Sequence, residues 1–288
     1  MTVALITGAN SGIGRSSAVE LAAKGWTVYG SMRHLDKGAK PAAEADAAGV
    51  TVHPVVCDVT DTASVNEPVA TVTEHAGWID VLVKHAGGGA NGVLEVCSVD
   101  TYAEVMDVNL YGAIRCSQAV LPQMRERGAG MIINVSSICG VVAAMAQSPY
   151  VASKWALEGL SEGMAQELAP FGIRVAVIEP GIVRTAIMAK NTEAGNETGA
   201  YDAHNRRLFS FYAAGLRNPG LPREVGDVIY AAATDDPPRF RYTCGWGGSE
   251  LVDARRRLDM AEWVALGAIT DDDAYNARFQ EMFGLDIS

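Results

Sequence analysis

In the segment YVASKWALEGL, Tyr150 and Lys154 stand four residues apart, so a helix carries a phenol and an ammonium on one face. A cation beside a buried phenol favours phenolate and draws its pKa down from about 10, which fits Tyr150 for general acid/base work near neutral pH. Thirteen residues upstream, Ser137 closes the apolar run MIINVS with a hydroxyl suited to hydrogen-bonding a substrate oxygen. Taken singly, these are a helix-surface pair and a turn. Together they describe a place where a proton moves to or from an oxygen.

A second constellation opens the chain. After VALI comes TGANSGIGR, with Gly8, Gly12 and Gly14 around Asn10, Ser11 and Ile13, leading into the helical run SSAVELAAKG. Glycines there let the backbone approach a pyrophosphate, and the helix N-terminus supplies unpaired N–H groups and a positive dipole end. In dinucleotide sites of this kind an acidic residue about 20 positions further on binds the adenine ribose. Here Met32 and Arg33 occupy that place. An arginine pairs with a 2′-phosphate that a carboxylate would repel, so NADP(H) is favoured over NAD(H).

These residues need a frame to bring them together. Apolar runs at 3–6, 27–32, 51–57, 79–83, 131–136 and 173–179, with a weaker one at 239–243, alternate with helical stretches at 13–24, 37–48, 61–76, 100–127, 150–169 and 223–235. Strand–helix–strand repeated in this way means parallel strands with right-handed crossovers. The expected fold is α/β, a doubly wound sheet that binds its ligands at the carboxyl ends of the strands. Residues 186–221 lack a strand and read as an excursion packed over the site, and 250–288 as a helical extension. No repeat or shift in composition divides residues 1–288, so a single domain is expected.

The totals narrow the classes. A formal net charge of −11 opposes nucleic acid as a partner, and the one basic cluster, Arg255 to Arg257, reads as a solvated helix face. The five cysteines lack ligand spacing and read as free thiols of a reducing compartment, hence a cytoplasmic location. No metal is expected, because the five histidines show no ligand pattern, and the opening apolar run is too short for a signal peptide or a membrane span.

Set in order along residues 2–245, TGANSGIG, CDV at 57–59, the AG of HAGG, VNLYG with Asn109, SS at 136 and 137, YVASK and EPGIVRT resemble the classical short-chain dehydrogenase/reductase family. The resemblance implies a Rossmann fold whose seven-stranded sheet has the order 3-2-1-4-5-6-7. It implies hydride exchange at nicotinamide C4 between NAD(P) and an alcohol or carbonyl, with Tyr150 as acid/base. Lys154 would bind the nicotinamide ribose and lower the tyrosine pKa, Ser137 would polarise the carbonyl, and Asn109 would hold a relay water. Asp58 and Val59 would meet the adenine, Gly87 its ribose, Pro180, Gly181 and Thr185 the nicotinamide, and Asn10, Ser11 and Arg33 the 2′-phosphate. Within the family, VYGSMRHLDK and SKWALEGLSE look like the 17β-hydroxysteroid and retinol dehydrogenase branch. By analogy a homodimer or homotetramer is expected, built through the helices at 100–127 and 150–169.

The apolar loop CGVVAAMAQSP with Val142, and Ile187, Met188, Tyr201, Phe209, Phe211 and Tyr212 in the excursion, point to an apolar small-molecule substrate or to plain packing of the lid. Two rivals remain: a reductase of polar or acyl-carrier-linked carbonyls, and a non-catalytic sensor of NADP(H). One departure stands out. Where the family usually reads NNAG, this chain has Lys84 and His85. A neutral His85 can take over the bracing hydrogen bond of the missing asparagine, or else titrate beside the ribose, with Lys84 turned to solvent or to a carboxylate.

Overall fold

The computed structural model describes residues 1–185 and 198–288. Its centre is a parallel sheet of seven strands: β1 Val3–Ile6, β2 Thr27–Met32, β3 Val52–Val56, β4 Val81–Lys84, β5 Gly130–Val135, β6 Ile173–Pro180 and β7 Arg241–Cys244. Their order is β3-β2-β1-β4-β5-β6-β7, as expected, with the direction reversing between β1 and β4. The inner strands are buried along nearly their whole length, because helices cover both faces and leave no side for polar alternation. Pro54, which cannot donate to a ladder, sits in the edge strand β3.

On one face, α3 (Thr62–Ala76), α5 (Gly112–Arg127) and α6 (Ser148–Leu168) bury Val65, Val72, Val120, Met124 and Leu168 against Leu5, Leu82 and Ile132. On the other, α1 (Gly12–Ala23) and α8 (Pro222–Thr234) bury Leu21, Val225 and Ile229 against Ile6, Val83 and Ile133. α1 and α8 touch closely at Gly226, where a Cβ would lie 2.9 Å from the Cβ of Glu20. The short α2 (Ala39–Ala47) follows β2.

The helix expected over 100–127 is interrupted. α4 (Val99–Met106) passes into a π turn, Asp107–Tyr111, before α5 begins. The irregular turn holds Asn109, whose buried amide pairs with both backbone groups of Gly88: Oδ1 accepts from Gly88 N at 2.8 Å and Nδ2 donates to Gly88 O at 3.0 Å. Such bulges are frequent at functional sites.

A third layer lies beyond the sheet's carboxyl edge. α7 (Asp202–Arg217), α9 (Gly248–Arg257), α10 (Met260–Gly267), α11 (Asp272–Phe283) and the residues after it bury Ala214, Leu251, Leu266, Tyr275, Phe279 and Ile287 against Ile138 and Val142. Much of the excursion expected at 186–221 is thus α7; residues 186–197 lie outside the described residues. Among the described residues, no helix is long and apolar enough to cross a membrane.

Candidate active site

At the crevice where the strand order reverses, Thr7 Oγ1 accepts from the N–H groups of His85 and Ala86 at 3.1 and 3.0 Å, tying the ends of β1 and β4 together. The next residue, Gly8, has φ +72° and leaves no room for a side chain: a Cβ would meet Ala86 Cα at 3.0 Å. A Cβ on Gly14 would lie 2.5 Å from Gly8 O and 2.6 Å from His85 Nδ1. The glycine loop therefore closes directly onto the start of α1, an arrangement with exposed backbone for a pyrophosphate.

From this loop the cleft runs two ways. One arm is lined by Gly8, Asn10, Ser11, Met32, Arg33, His34, Lys37, Asp58, Val59 and Gly87. Every residue expected at the adenosine end lines this arm, together with His34 and Lys37, which the sequence did not single out although they lie within four residues of Arg33. Among the described residues Asp58 is the only carboxylate in that lining. Its Oδ1 accepts from Thr60 N at 3.0 Å and Thr60 Oγ1 at 2.8 Å, bonds that hold its pKa below the usual carboxylate range and leave Oδ2 for another donor.

The other arm is lined by Gly12, Ile13, Ser137, Tyr150, Lys154, Pro180, Gly181 and Thr185, together with Cys139, Gln147, Phe211 and Tyr212. Ser137 follows β5 and its Oγ accepts from Cys139 N at 3.1 Å, a short cap that fixes the hydroxyl near the phenol. Tyr150 and Lys154 rise from the first turns of α6, and Lys154 Nζ donates to Val135 O at 3.0 Å, 5.6 Å from the Tyr150 ring centre. Gln147 donates to the Tyr212 hydroxyl and to Asn91 Oδ1. Gln147 went unnoticed in the sequence, since nothing in its local pattern announces a polar group facing a cleft.

Two electrostatic expectations are corrected. Burial, with Cys139 adding to it, pushes the Tyr150 phenol above its ordinary range, while the Ser137 hydrogen bond opposes the shift. Burial also lowers Lys154 to about 8. Desolvation of both groups thus outweighs the pull of lysine on tyrosine in this cleft. Lys84 does not turn to solvent or to a carboxylate: it is 5% exposed, and Nζ donates to Ala113 O at 3.0 Å and Ser117 Oγ at 2.7 Å on α5. Burial lowers it to about 7.

His85 ties β4 to β1 through its backbone N–H, while its ring is enclosed by the glycine turn beside the Gly8 backbone, whose hydrogen bond to the ring favours the charged form without outweighing burial. Burial first, and then the Lys154 charge, hold it at about 4, so it stays neutral and does not titrate beside a ribose near pH 7. The Asn109 side chain is likewise committed, to Gly88 and to Ser153 Oγ at 2.9 Å, so any water it holds must use its main-chain carbonyl.

Val142 lies in a neighbouring apolar chamber rather than in the cleft itself. That chamber shares Ile138, Cys139 and Phe211 with the cleft and is walled by Met145, Leu208, Leu251, Trp263, Leu266, Phe279 and Ile287. Phe211 faces both spaces. Tyr201 and Phe209 pack beside Val93 and Leu208 instead, and Ile187 and Met188 lie outside the described residues.

A glycine-loop crevice joined to a Ser, Tyr and Lys site has counterparts among known proteins. The family model described as short chain dehydrogenase matches residues 2–196. The chain belongs to the short-chain dehydrogenase/reductase family. An uncharacterized oxidoreductase of Bacillus subtilis is 37% identical over 92% of this chain and 96% of its own length. Human 17-beta-hydroxysteroid dehydrogenase type 1 is 38% identical over 84% of this chain and 76% of its own. A short-chain dehydrogenase from Streptomyces avermitilis superposes with a TM-score of 0.79 at 33% identity, covering 94% of this chain and 98% of the other. This short-chain dehydrogenase is accordingly an oxidoreductase of alcohol and ketone groups that uses NAD(P)(H).

Proposed function

We propose that the protein is an NADP(H)-dependent oxidoreductase that interconverts a secondary alcohol and a ketone with an apolar body, using Tyr150 as general acid/base. One observation carries this reading: Ser137, Tyr150 and Lys154 line a cleft continuous with the glycine loop and opening beside an apolar chamber. The cofactor fits the chain present. The closed Gly8–Gly14 turn leaves backbone for a pyrophosphate, and Arg33, Lys37 and His34 offer cations and donors where a 2′-phosphate would lie. When bound, NADP(H) supplies or accepts the hydride at nicotinamide C4.

Ser137 orients the substrate oxygen by hydrogen bonding. For reduction, Tyr150 delivers its phenolic proton to that oxygen as negative charge develops there; for oxidation, the phenolate takes the proton back. Lys154, beside the ring, favours the phenolate that each cycle creates and offers its ammonium to a ribose hydroxyl. The main-chain carbonyl of Asn109, in the π turn, is the seat for a water that resupplies the proton.

The raised phenol fixes the sign of the pH dependence. Its proton is in place for reduction at neutral pH and must leave before oxidation, so oxidation rises with pH through the neutral range while reduction does not. The free cysteines suit the cytoplasm, and the exposed Tyr111 and Trp155 at the π turn and on α6 supply apolar surface for a homodimer or homotetramer.

The test is a screen of aliphatic and alicyclic ketones and alcohols with NADPH and NADH, comparing wild type with Tyr150→Phe. Wild type should turn over apolar members with NADPH, and the variant should lose about 10²- to 10⁴-fold in kcat while still binding NADPH. Equal turnover by the two proteins would remove Tyr150 from the reaction.

A further inference from the structure

Behind the adenine wall lie two cysteines that take no part in the chemistry above. Val59, just beyond β3, packs on α5 at Gly112, where a Cβ would lie 2.8 Å from Val59 Cγ2. Cys57 and Val59 are both buried on the α5 side, with the less buried Asp58 between them. Cys116 lies four residues beyond Gly112, on the same face of the helix. Two residues of extended chain and four of helix each advance about 6–7 Å, so seating Val59 on Gly112 also sets Cys57 against Cys116. The two thiols share one core cluster with Val65, Leu82 and Val120 and lie close enough for each to shift the other's titration.

The surroundings make this pair more than packing. Cys57 is also part of the wall of the adenosine arm, beside Met32 and Asp58, which gives a small reagent a way in. Cys116, Val59 and Lys84 line one small internal cavity. The Cys57 hydrogen bond first, and then the charges of Lys84 and Arg115, favour the Cys116 thiolate against burial. Cys57, pushed up by its bond to Cys116 and by burial, keeps its proton, and Asp58 adds to that. This divides the roles of nucleophile and resolving thiol.

We propose that Cys57 and Cys116 form an oxidisable dithiol that hydrogen peroxide converts to a disulfide, lowering the affinity of the adenosine arm for NADP(H). The Cys116 thiolate attacks one peroxide oxygen, the O–O bond breaks, and the departing hydroxide takes up a proton to become water. Cys116 is then a sulfenic acid. The Cys57 sulfur attacks the Cys116 sulfur and expels the second oxygen as water, its thiol proton balancing the hydroxide that leaves. Two thiols are oxidised by two electrons while one peroxide is reduced to two waters. Joining the sulfurs at about 2.05 Å draws the end of β3 toward α5 and carries Asp58 and Val59 with it. The disulfide stands on the thiol geometry alone; its effect on NADP(H) rests on the cofactor reading above.

The experiment treats the full chain, free of cofactor, with hydrogen peroxide, maps the peptides by mass spectrometry and measures NADPH binding by fluorescence. A Cys57–Cys116 crosslink should appear, and NADPH affinity should fall about tenfold and return with dithiothreitol. NADPH added beforehand should slow the crosslink, and Lys84→Met should slow it several-fold at neutral pH. Cys57→Ser and Cys116→Ser, or the alanine variants if serine is not tolerated, should keep their NADPH affinity under peroxide, with melting curves reporting the fold. Oxidation confined to other cysteines, or to sulfinic acid at these two, overturns the dithiol. A crosslink that leaves NADPH binding unchanged overturns its link to the pocket, whereas untreated protein that binds no NADPH overturns the cofactor reading and leaves the crosslink standing.

Discussion

The two arms of the cleft are built from different materials. The adenosine arm is made by chain that has just left a strand: the Gly8–Gly14 loop after β1, Arg33 to Lys37 after β2, Asp58 and Val59 after β3, and Gly87 after β4. Among the described residues its polar lining includes backbone, Arg33, His34 and Lys37, and the carboxylate of Asp58. The chamber beside the other arm is made by side chains from remote segments, with Ile138 to Met145 after β5, Leu208 and Phe211 on α7, Trp263 and Phe279 on the last helices and Ile287 beyond them. The first is held by the ends of the sheet strands, so its shape is set by backbone. The second is a junction of helices, and its shape follows from which side chains meet there.

If the adenosine arm depends on close backbone approach, the largest effect should come from one methyl group in its floor. Gly14→Ala would place a carbon 2.5 Å from a carbonyl oxygen and 2.6 Å from the His85 ring, forcing the loop outward. NADPH affinity should fall at least about 100-fold, an amount equal to roughly 2.7 kcal/mol, with the circular dichroism of a folded protein retained. Binding within threefold of wild type would mean that the cofactor does not sit on this loop.

Arg33→Glu tests the charge of the same arm at smaller cost. The variant places a carboxylate among the groups that now supply Arg33, His34 and Lys37. NADPH should bind about 10- to 100-fold more weakly while NADH changes by less than about threefold, and the difference should shrink as salt is raised. A parallel loss for both cofactors would show that Arg33 shapes the pocket without reading the phosphate.

The contrast between the arms also explains what the sequence discloses. Sheet order, strand positions and the gathering of the first arm's residues in one cleft are legible because each depends on a short local pattern: an apolar run, a glycine spacing, the first residues after a strand. Tyr150, Lys154 and Ser137 are legible because one turn of helix and one strand end set their placement. The destination of Lys84 is not. Whether a lysine at the end of β4 reaches solvent or buries its ammonium depends on the Ala113 carbonyl and Ser117 hydroxyl, about 30 residues away on α5. The same holds for the Tyr150 phenol, whose desolvation is set by surroundings no local motif contains. The chamber is the extreme case, since Met145, Leu208 and Tyr275 come from three separate segments with no shared periodicity that would mark them as neighbours.

The smallest effect should come from the chamber, and it should appear in substrate preference alone. Ala144 lies on the chamber wall with its side chain half-buried, so Ala144→Phe fills space without removing a packed group from the core. If a ketone's apolar tail enters this chamber, kcat/KM of wild type should climb along a homologous series of alkyl ketones by up to about fourfold per methylene, the value of about 0.8 kcal/mol of buried CH₂. In the variant that climb should stop several methylenes earlier, because the phenyl ring already occupies the space. The shortest ketone and NADPH should be handled as before, since neither reaches past Phe211. A variant that loses activity equally on short and long ketones would instead show that the 138–145 segment works by holding Ser137 in place. The chamber would then be packing for the third layer rather than a seat for substrate.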